Sequence, residues 1–401
     1  MRQVGLFSRR NLFLGAGALL AGSRAGALAL GGNAPRPLPP PLPAGVFRER
    51  QEKLRAEARR QGLTSVFVTP CTNLRYAANI AMGRSERLTA LLLRVDGPAT
   101  VVTPFFEKPR CEKDGVFDEI RTWEESEDPM LLCASLLPVR SRIGVEGTTA
   151  YHTALGLREA TGGETIDFTA PFDALRSVKS SEEQAFIADA AERTVEAIQA
   201  TFHRLREGMT EREGAANLAE EFARLGTPSE GLVQFGPSSA LPHGGPGQRR
   251  LARGDVVLID TGCSVNGYSS DVTRTACFGR PSDEIRRVYE VVERAQRAGI
   301  AALRSGAPGE AVDAAARRVI EEAGYGQFFT HRLGHGLGMD GHETPYLVKG
   351  NKTPLAPGNV ETIEPGIYLP GRFGVRIEDD FAVTDGEAHA LSPRPAPLPV
   401  L

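Results

Sequence analysis

Four carboxylates and one imidazole, Asp260, Asp271, His335, Glu364 and Glu378, succeed one another in the last third of this chain, each beside an apolar run or a glycine. Any fold the chain adopts has to account for them together. In VVLIDTGCSVNGYSSDVTRT, Val256 to Ile259 is an unbroken apolar run that reads as a buried strand. Asn266-Gly267 predicts a tight hairpin, because both residues tolerate the positive φ of a primed turn. Folding the chain back there puts Asp260 and Asp271 on adjacent strands, aimed into one pocket. Two carboxylates held together cannot both stay ionised without a positive charge between them, and a divalent cation supplies it.

The imidazole, His335, sits in HRLGHGLGMDGHETP, where Gly334, Gly336 and Gly338 are expected to let the backbone approach an ion and turn sharply. Glu364, in ETIEPG, and Glu378, in VRIEDD, each follow an isoleucine and are predicted as strand residues. Oxygen donors with a single nitrogen suit a hard or borderline divalent ion: manganese first, cobalt or zinc as alternatives. Two such ions roughly 3.5–4 Å apart would polarise a carbonyl and generate a nucleophile at neutral pH.

The motifs LIDTG, SDVTRT, GHGLG, TIEPG and VRIED, in this order, resemble those of the pita-bread metallopeptidases, which include methionine aminopeptidase, Xaa-Pro aminopeptidase and prolidase. Roughly residues 45–390 are similar to the Xaa-Pro branch, in which a further domain precedes the catalytic one. The resemblance implies an α+β fold. A pita-bread C-terminal catalytic domain over residues 176–398, with a curved antiparallel sheet, helices outside and metals within, would follow a smaller creatinase-type α/β N-terminal domain over 45–175.

The same resemblance implies that Asp260 chelates one ion, that His335 and Glu364 hold the other, and that Asp271 and Glu378 bridge both. His243 in LPHGGPG, His331 and His342 would hydrogen-bond the substrate and the tetrahedral intermediate, and Arg376 would orient a ligand carboxylate. Glu364 would also relay a proton. Proline-containing peptides are the implied substrates and a homodimer the implied assembly. In dipeptide-specific relatives an arginine a little beyond the position of His342 captures the free carboxylate; here that place is Tyr346, which cannot give a bidentate, charged grip. The expectation is therefore an Xaa-Pro aminopeptidase that accepts longer peptides. The alternative is a dipeptidase in which Lys349 or a loop residue does the clamping. The fold also hosts metal-free hydrolases of small C–N bonds, lyases of small sulfonium compounds and inert peptide-binding modules. All five ligand positions being filled counts against the first and the last.

At 401 residues there is room for two domains, and 41% hydrophobic with 24% charged residues is ordinary globular material. A net charge of -3 argues against a nucleic-acid partner. Cys71, Cys111, Cys133, Cys263 and Cys277 have no CxxC spacing, so neither a thiolate metal site nor a disulfide framework is expected. His389 has no motif around it and reads as a solvated loop residue.

Ser8-Arg9-Arg10-Asn11-Leu12-Phe13-Leu14 is a twin-arginine pattern, followed by an apolar run too short to span a bilayer and an A-x-A-like end near Ala25 to Ala29. Residues 1–30 are thus expected to direct export of the folded protein to the periplasm, with no stable membrane insertion of the mature chain; a disordered start or an uncleaved anchor are the alternatives. Residues 31–44 form a linker, and the prolines of Ala34 to Pro43 predict an extended spacer rather than a packed element. Beyond it come an amphipathic helix, Phe47 to Gln61, and apolar strands at Ser65 to Val68, Leu91 to Val95 and Ala99 to Val102. Ser180 and Glu183 match a capping box for a helix reaching about Arg206, and further helices are predicted at Thr210 to Arg224, Ser282 to Ser305 and Glu310 to Ala323.

Overall fold

The computed structural model describes residues 36–242, 244–393 and 397–401; the twin-arginine segment and His243 lie outside the described residues. The proline-rich stretch from Arg36 is extended, as its fixed φ angles require, but it is not a spacer. Arg193, fully buried, donates to the carbonyls of Arg36 (3.1 Å) and Pro37 (2.9 Å), and the Asn266 amide donates to that of Pro39 (3.0 Å). Proline lacks an N–H, yet its carbonyl still accepts, so the stretch becomes a strap held by its oxygens.

The first half follows as α1 Ala44–Arg60, β1 Ser65–Val68, α2 Thr72–Ala78, β2 Ala90–Arg94, β3 Ala99–Pro104, α3 Lys108–Asp114, β4 Glu119–Trp123, α4 Pro129–Ser135, β5 Arg142–Val145, α5 Tyr151–Thr161, β6 Glu164–Asp167 and α6 Thr169–Ser177. Its strands form one mixed sheet in the order β4-β3-β2-β1-β5-β6, with β1 parallel to β5 and β5 to β6. Every residue of β1 is buried, which explains why Val66 to Val68 run continuously apolar instead of alternating.

The second half contains α7 Ser181–Arg204, α8 Glu211–Arg224, β7 Gly231–Phe235, β8 Val256–Thr261, β9 Ser264–Val265, β10 Tyr268–Ser269, β11 Val272–Cys277, α9 Asp283–Ala302, α10 Gly309–Glu322, β12 Gly334–Gly336, β13 Glu343–Leu347, β14 Val360–Ile363, β15 Gly366–Leu369, β16 Phe373–Arg376, β17 Asp379–Ala382 and β18 His389–Ala390. Capping boxes open α7 at Ser180 and α8 at Thr210. His389 thus begins a short strand, although it remains exposed. None of the described helices is long and apolar enough to cross a membrane.

The expected curved sheet is divided into antiparallel pieces: β11-β8-β7, β13-β12-β14-β17-β18, and the pair β15-β16. The divisions fall at Glu364, between β14 and β15, and at Glu378, between β16 and β17. Both glutamates were expected inside strands; instead each sits at an interruption. Leaving the ladder there frees these side chains from the strict in-and-out alternation of a pleat.

The two halves are joined by buried polar contacts. Glu183 uses one carboxylate oxygen to cap α7 and the other to accept from Arg50 of α1 (2.8 Å) and from the Tyr268 hydroxyl (2.7 Å). Arg176 of α6 bonds Asp340 and Glu343, and Lys179 completes the cluster at 2.8 Å from Glu343.

Candidate metal centre

Asn266 and Gly267 adopt φ of 51° and 90°, and the hairpin they close returns the chain so that β8 and β11 pair in register, Asp260 opposite Thr273. Asp271 lies one residue before β11. Alternation along that strand then puts Asp271, Thr273 and Thr275 on one face. The hydroxyl of Thr273 donates to Glu378 (2.6 Å), and that of Thr275 to the Arg376 carbonyl (2.8 Å).

His335 arrives from β12, where a β-bulge between His335 and Gly336 shifts the register against β13 and re-aims the ring. The glycines around it serve a purpose other than the expected sharp turn: φ is not positive at Gly334, Gly336 or Gly338. They permit close packing instead, since a Cβ at Gly334 would stand 1.9 Å from the Thr362 carbonyl oxygen and one at Gly336 would stand 2.6 Å from that of Thr344.

All five predicted ligand residues converge on a cavity of about 440 Å³, lined also by His331, Arg332, His342 and Arg376. Ligand-capable atoms group within 4.8 Å of one another as Asp260, Asp271 and Glu378, and as His335, Glu364 and Glu378, so that Glu378 is common to both triads. A third grouping joins Asp271, His335 and His342. Nε2 of His335 stands 3.4 Å from Glu364 and 3.7 Å from Asp271, while its Nδ1 lies 3.1 Å from the Gly336 carbonyl. With Nδ1–H donated to that carbonyl, the Nε2 lone pair faces the acids, as a neutral imidazole donor requires.

The electrostatics fit a cation. Burial, then the neighbouring Asp260, pushes the Glu378 carboxyl up to about 7. Burial and Glu378 likewise raise Asp271, although about a quarter of its side chain opens to the cavity, and they raise Glu364. Burial holds the His335 imidazole down to about 3, so it stays neutral. Crowded carboxylates beside a neutral imidazole make a donor set suited to divalent ions that accept oxygen and nitrogen.

Around this set, Arg376 donates to Asp260, through Nε to Thr273 (3.0 Å) and through Nη1 to the Tyr368 hydroxyl (2.7 Å). Tyr368 passes its proton direction on to Nε2 of His331 (2.8 Å), whose Nδ1 lies 2.7 Å from the Arg332 carbonyl. His331 was expected to meet the substrate; both its nitrogens have protein partners, so it supports the wall of the site. His342 stands edge-on to the His335 ring at 4.1 Å and is exposed. Thr273 was legible from strand alternation but not singled out. Tyr368 and Arg332 were missed; Arg332 lies within HRLGH itself, next to His331, while Tyr368 carries no motif of its own.

A family model described as metallopeptidase family M24 matches residues 185–385, and one described as the creatinase/prolidase N-terminal domain matches residues 50–178. The probable dipeptidase PepE of Mycobacterium tuberculosis is 36% identical over 371 residues, which are 89% of this chain and 97% of that protein. Among solved structures, dipeptidase PepE from Mycobacterium ulcerans superposes with a TM-score of 0.82 at 36% identity, over 90% of this chain and 99% of the other. A prolidase from Thermococcus sibiricus gives 0.82 at 35%, over 88% and 99%. The chain is therefore a member of metallopeptidase family M24, carrying the pita-bread fold behind a creatinase/prolidase-type N-terminal domain.

Proposed function

We propose that the protein uses two divalent ions to hydrolyse the peptide bond between an N-terminal residue and proline. The observation that carries this reading is Glu378, common to two triads of ligand-capable atoms at the floor of one cavity. Asp260, Asp271 and Glu378 would hold one ion, and His335, Glu364 and Glu378 the other, with Asp271 near enough to His335 to bridge. The ions, when bound, supply Lewis acidity toward the scissile carbonyl and lower the pKa of the attacking water.

The side chains do the rest. Glu364, which lines the cavity beside His335, would take a proton at its carboxylate from the attacking water and return it to the departing proline nitrogen as the C–N bond breaks. Arg376 fixes the Asp260 carboxylate. His342, exposed beside His335, is placed to donate to oxygen charge as it develops on the substrate. The names of the similar proteins, dipeptidase and prolidase, support small proline peptides as the substrate class. The twin-arginine pattern supports action after export.

Elemental analysis of the purified protein, followed by cleavage of Ala-Pro, Ala-Pro-Ala and Ala-Ala with metal removed and restored, tests the reading. Metal-dependent cleavage confined to the X-Pro bonds is expected; hydrolysis that persists after complete metal removal would sink it.

A further inference from the structure

Two of the proposed ligand residues are held by their backbone amides. Thr362 of β14 and Asp380 of β17 stand directly opposite each other in the antiparallel pair, so both side chains leave the same face of the sheet. The Thr362 hydroxyl accepts from the amide of His335 (3.2 Å), and Oδ2 of Asp380 accepts from the amide of Asp271 (3.2 Å). Asp271 lies just ahead of β11, in a piece of sheet separate from the one that contains β17, so this bond ties one piece to the other. Asp380 is otherwise a poor core residue. It is fully buried, and among the described residues its Oδ1 has no hydrogen-bond partner. The neighbouring Asp379 shows the contrast, since Arg274, Gln296 and Ser392 all donate to it. A buried oxygen left unpaired costs stability. An apolar side chain at this strand position would avoid that cost, and what it would give up is the Asp271 contact.

We propose that Asp380 is a positioning residue for the metal centre: its carboxylate oxygen fixes the Asp271 main chain, and through it the stance of the Asp271 carboxylate. The assignment rests on the two-ion reading above. Asp271 has little else to fix it, because it precedes its strand and lies beyond the last ladder pair of β11 with β8, Val272 with Thr261. Its carboxylate has neighbours on two sides, Asp260 and Glu378 in one grouping and His335 in another. A rotation of the main chain at Asp271 would carry the carboxylate toward one set and away from the other, and the bond to Asp380 opposes it. Arg376 orients Asp260 by its head group; Asp380 orients Asp271 by its amide.

The test is calorimetric titration of manganese into the metal-free full chain, as wild type, Asp380→Asn and Asp380→Val, with chemical denaturation of each metal-free protein alongside. Asparagine keeps an acceptor oxygen for the Asp271 amide, and valine has none; Asp380→Ala replaces the valine variant if that does not fold. Asp380→Val should bind manganese about 10- to 100-fold more weakly, the range for losing a group that orients a ligand, while Asp380→Asn stays near wild type. The denaturation midpoint should change little, since valine removes one unpaired buried oxygen as it leaves one amide unpaired. Full binding by Asp380→Val would overturn the assignment. So would a loss in Asp380→Asn as large as that in Asp380→Val, because the charge and not the acceptor would then be the cause. A midpoint that falls along with the binding, or failure of all three variants to fold, would make Asp380 a structural residue only and overturn it as well. Wild type that binds none of manganese, cobalt and zinc sinks the two-ion reading and this assignment with it; wild-type binding that Asp380→Val shares sinks this assignment alone.

Discussion

Arg376 and Asp260 meet in the cavity, and the guanidinium that grips this proposed ligand carboxylate is itself held by Thr273 and Tyr368. Groups that orient ligands are worth about 10- to 100-fold in metal affinity when lost. Arg376→Lys should weaken metal binding by that order in a calorimetric titration, because one ammonium cannot hold three partners at once. An unchanged affinity would mean that Asp260 needs no orientation.

Glu378 belongs to both triads, so its removal would leave either of the two proposed ions short of a donor. Glu378→Gln should cost orders of magnitude in activity and most of the bound metal. Without metal the sign reverses: removing a carboxyl pushed up to about 7 relieves a buried repulsion, and the metal-free variant should melt above metal-free wild type at pH 8. Differential scanning calorimetry of the two metal-free proteins decides it.

The same shift predicts how metal and pH combine. In the folded metal-free protein Glu378 is pushed up to about 7, against an ordinary 4.5, so its contribution to stability is greatest below 4.5 and is lost as pH rises through 7. His335, held near 3 against 6.5, acts oppositely, its contribution being lost as pH falls from 6.5 toward 3. Divalent ions bind the deprotonated carboxylates, so the rise in Tm on adding manganese should grow between about pH 5 and pH 8. A rise independent of pH would show that these acids are not the ligands.

How much of this could be read in the residues alone follows from what each feature depends on. Asp260 and Asp271 were placed together because apolar runs and an Asn-Gly turn are local signals that the hairpin obeys. The capping box at Ser180 was legible for the same reason, whereas at Thr210 only the start of the helix was expected and not its box. The interruptions at Glu364 and Glu378 were not, since an isoleucine before each looks the same whether the ladder continues or stops. The Arg332–Tyr346 stack brings β13 beside the turn before β12, and no local pattern encodes such a tertiary contact.

His342 should separate chemistry from metal binding. If it acts on charge developing in the substrate, His342→Ala keeps its ions and loses turnover, with the loss in kcat. Loss of most of the metal, with normal turnover per ion that remains, would recast it as a ligand through its grouping with Asp271 and His335.

The cluster behind His342 gives a related expectation. Arg176 and Glu343 are both buried, and removing one partner of such a pair costs about 3–5 kcal/mol. Arg176→Ala should lower stability to chemical denaturation by that order and depress turnover without emptying the metal centre, because it leaves Asp340 and Glu343, on either side of His342, without their shared guanidinium. Full activity in the variant would uncouple the two halves.

The strap at Arg36 to Pro39 sets an order of events for the chain. Among the described residues its oxygens find donors on Arg193 and Asn266, the latter contact spanning 227 positions. A nascent chain carries these prolines long before the hairpin that receives them has been made, and closing such distant pairs is slow. Similarly, the amides of Cys277 and Gly279 wait for the carbonyls of Pro399 and Leu401. Fastening is therefore long-range: residues 36–39 are held by Arg193 and Asn266, and the end of β11 is completed by residues 399–401.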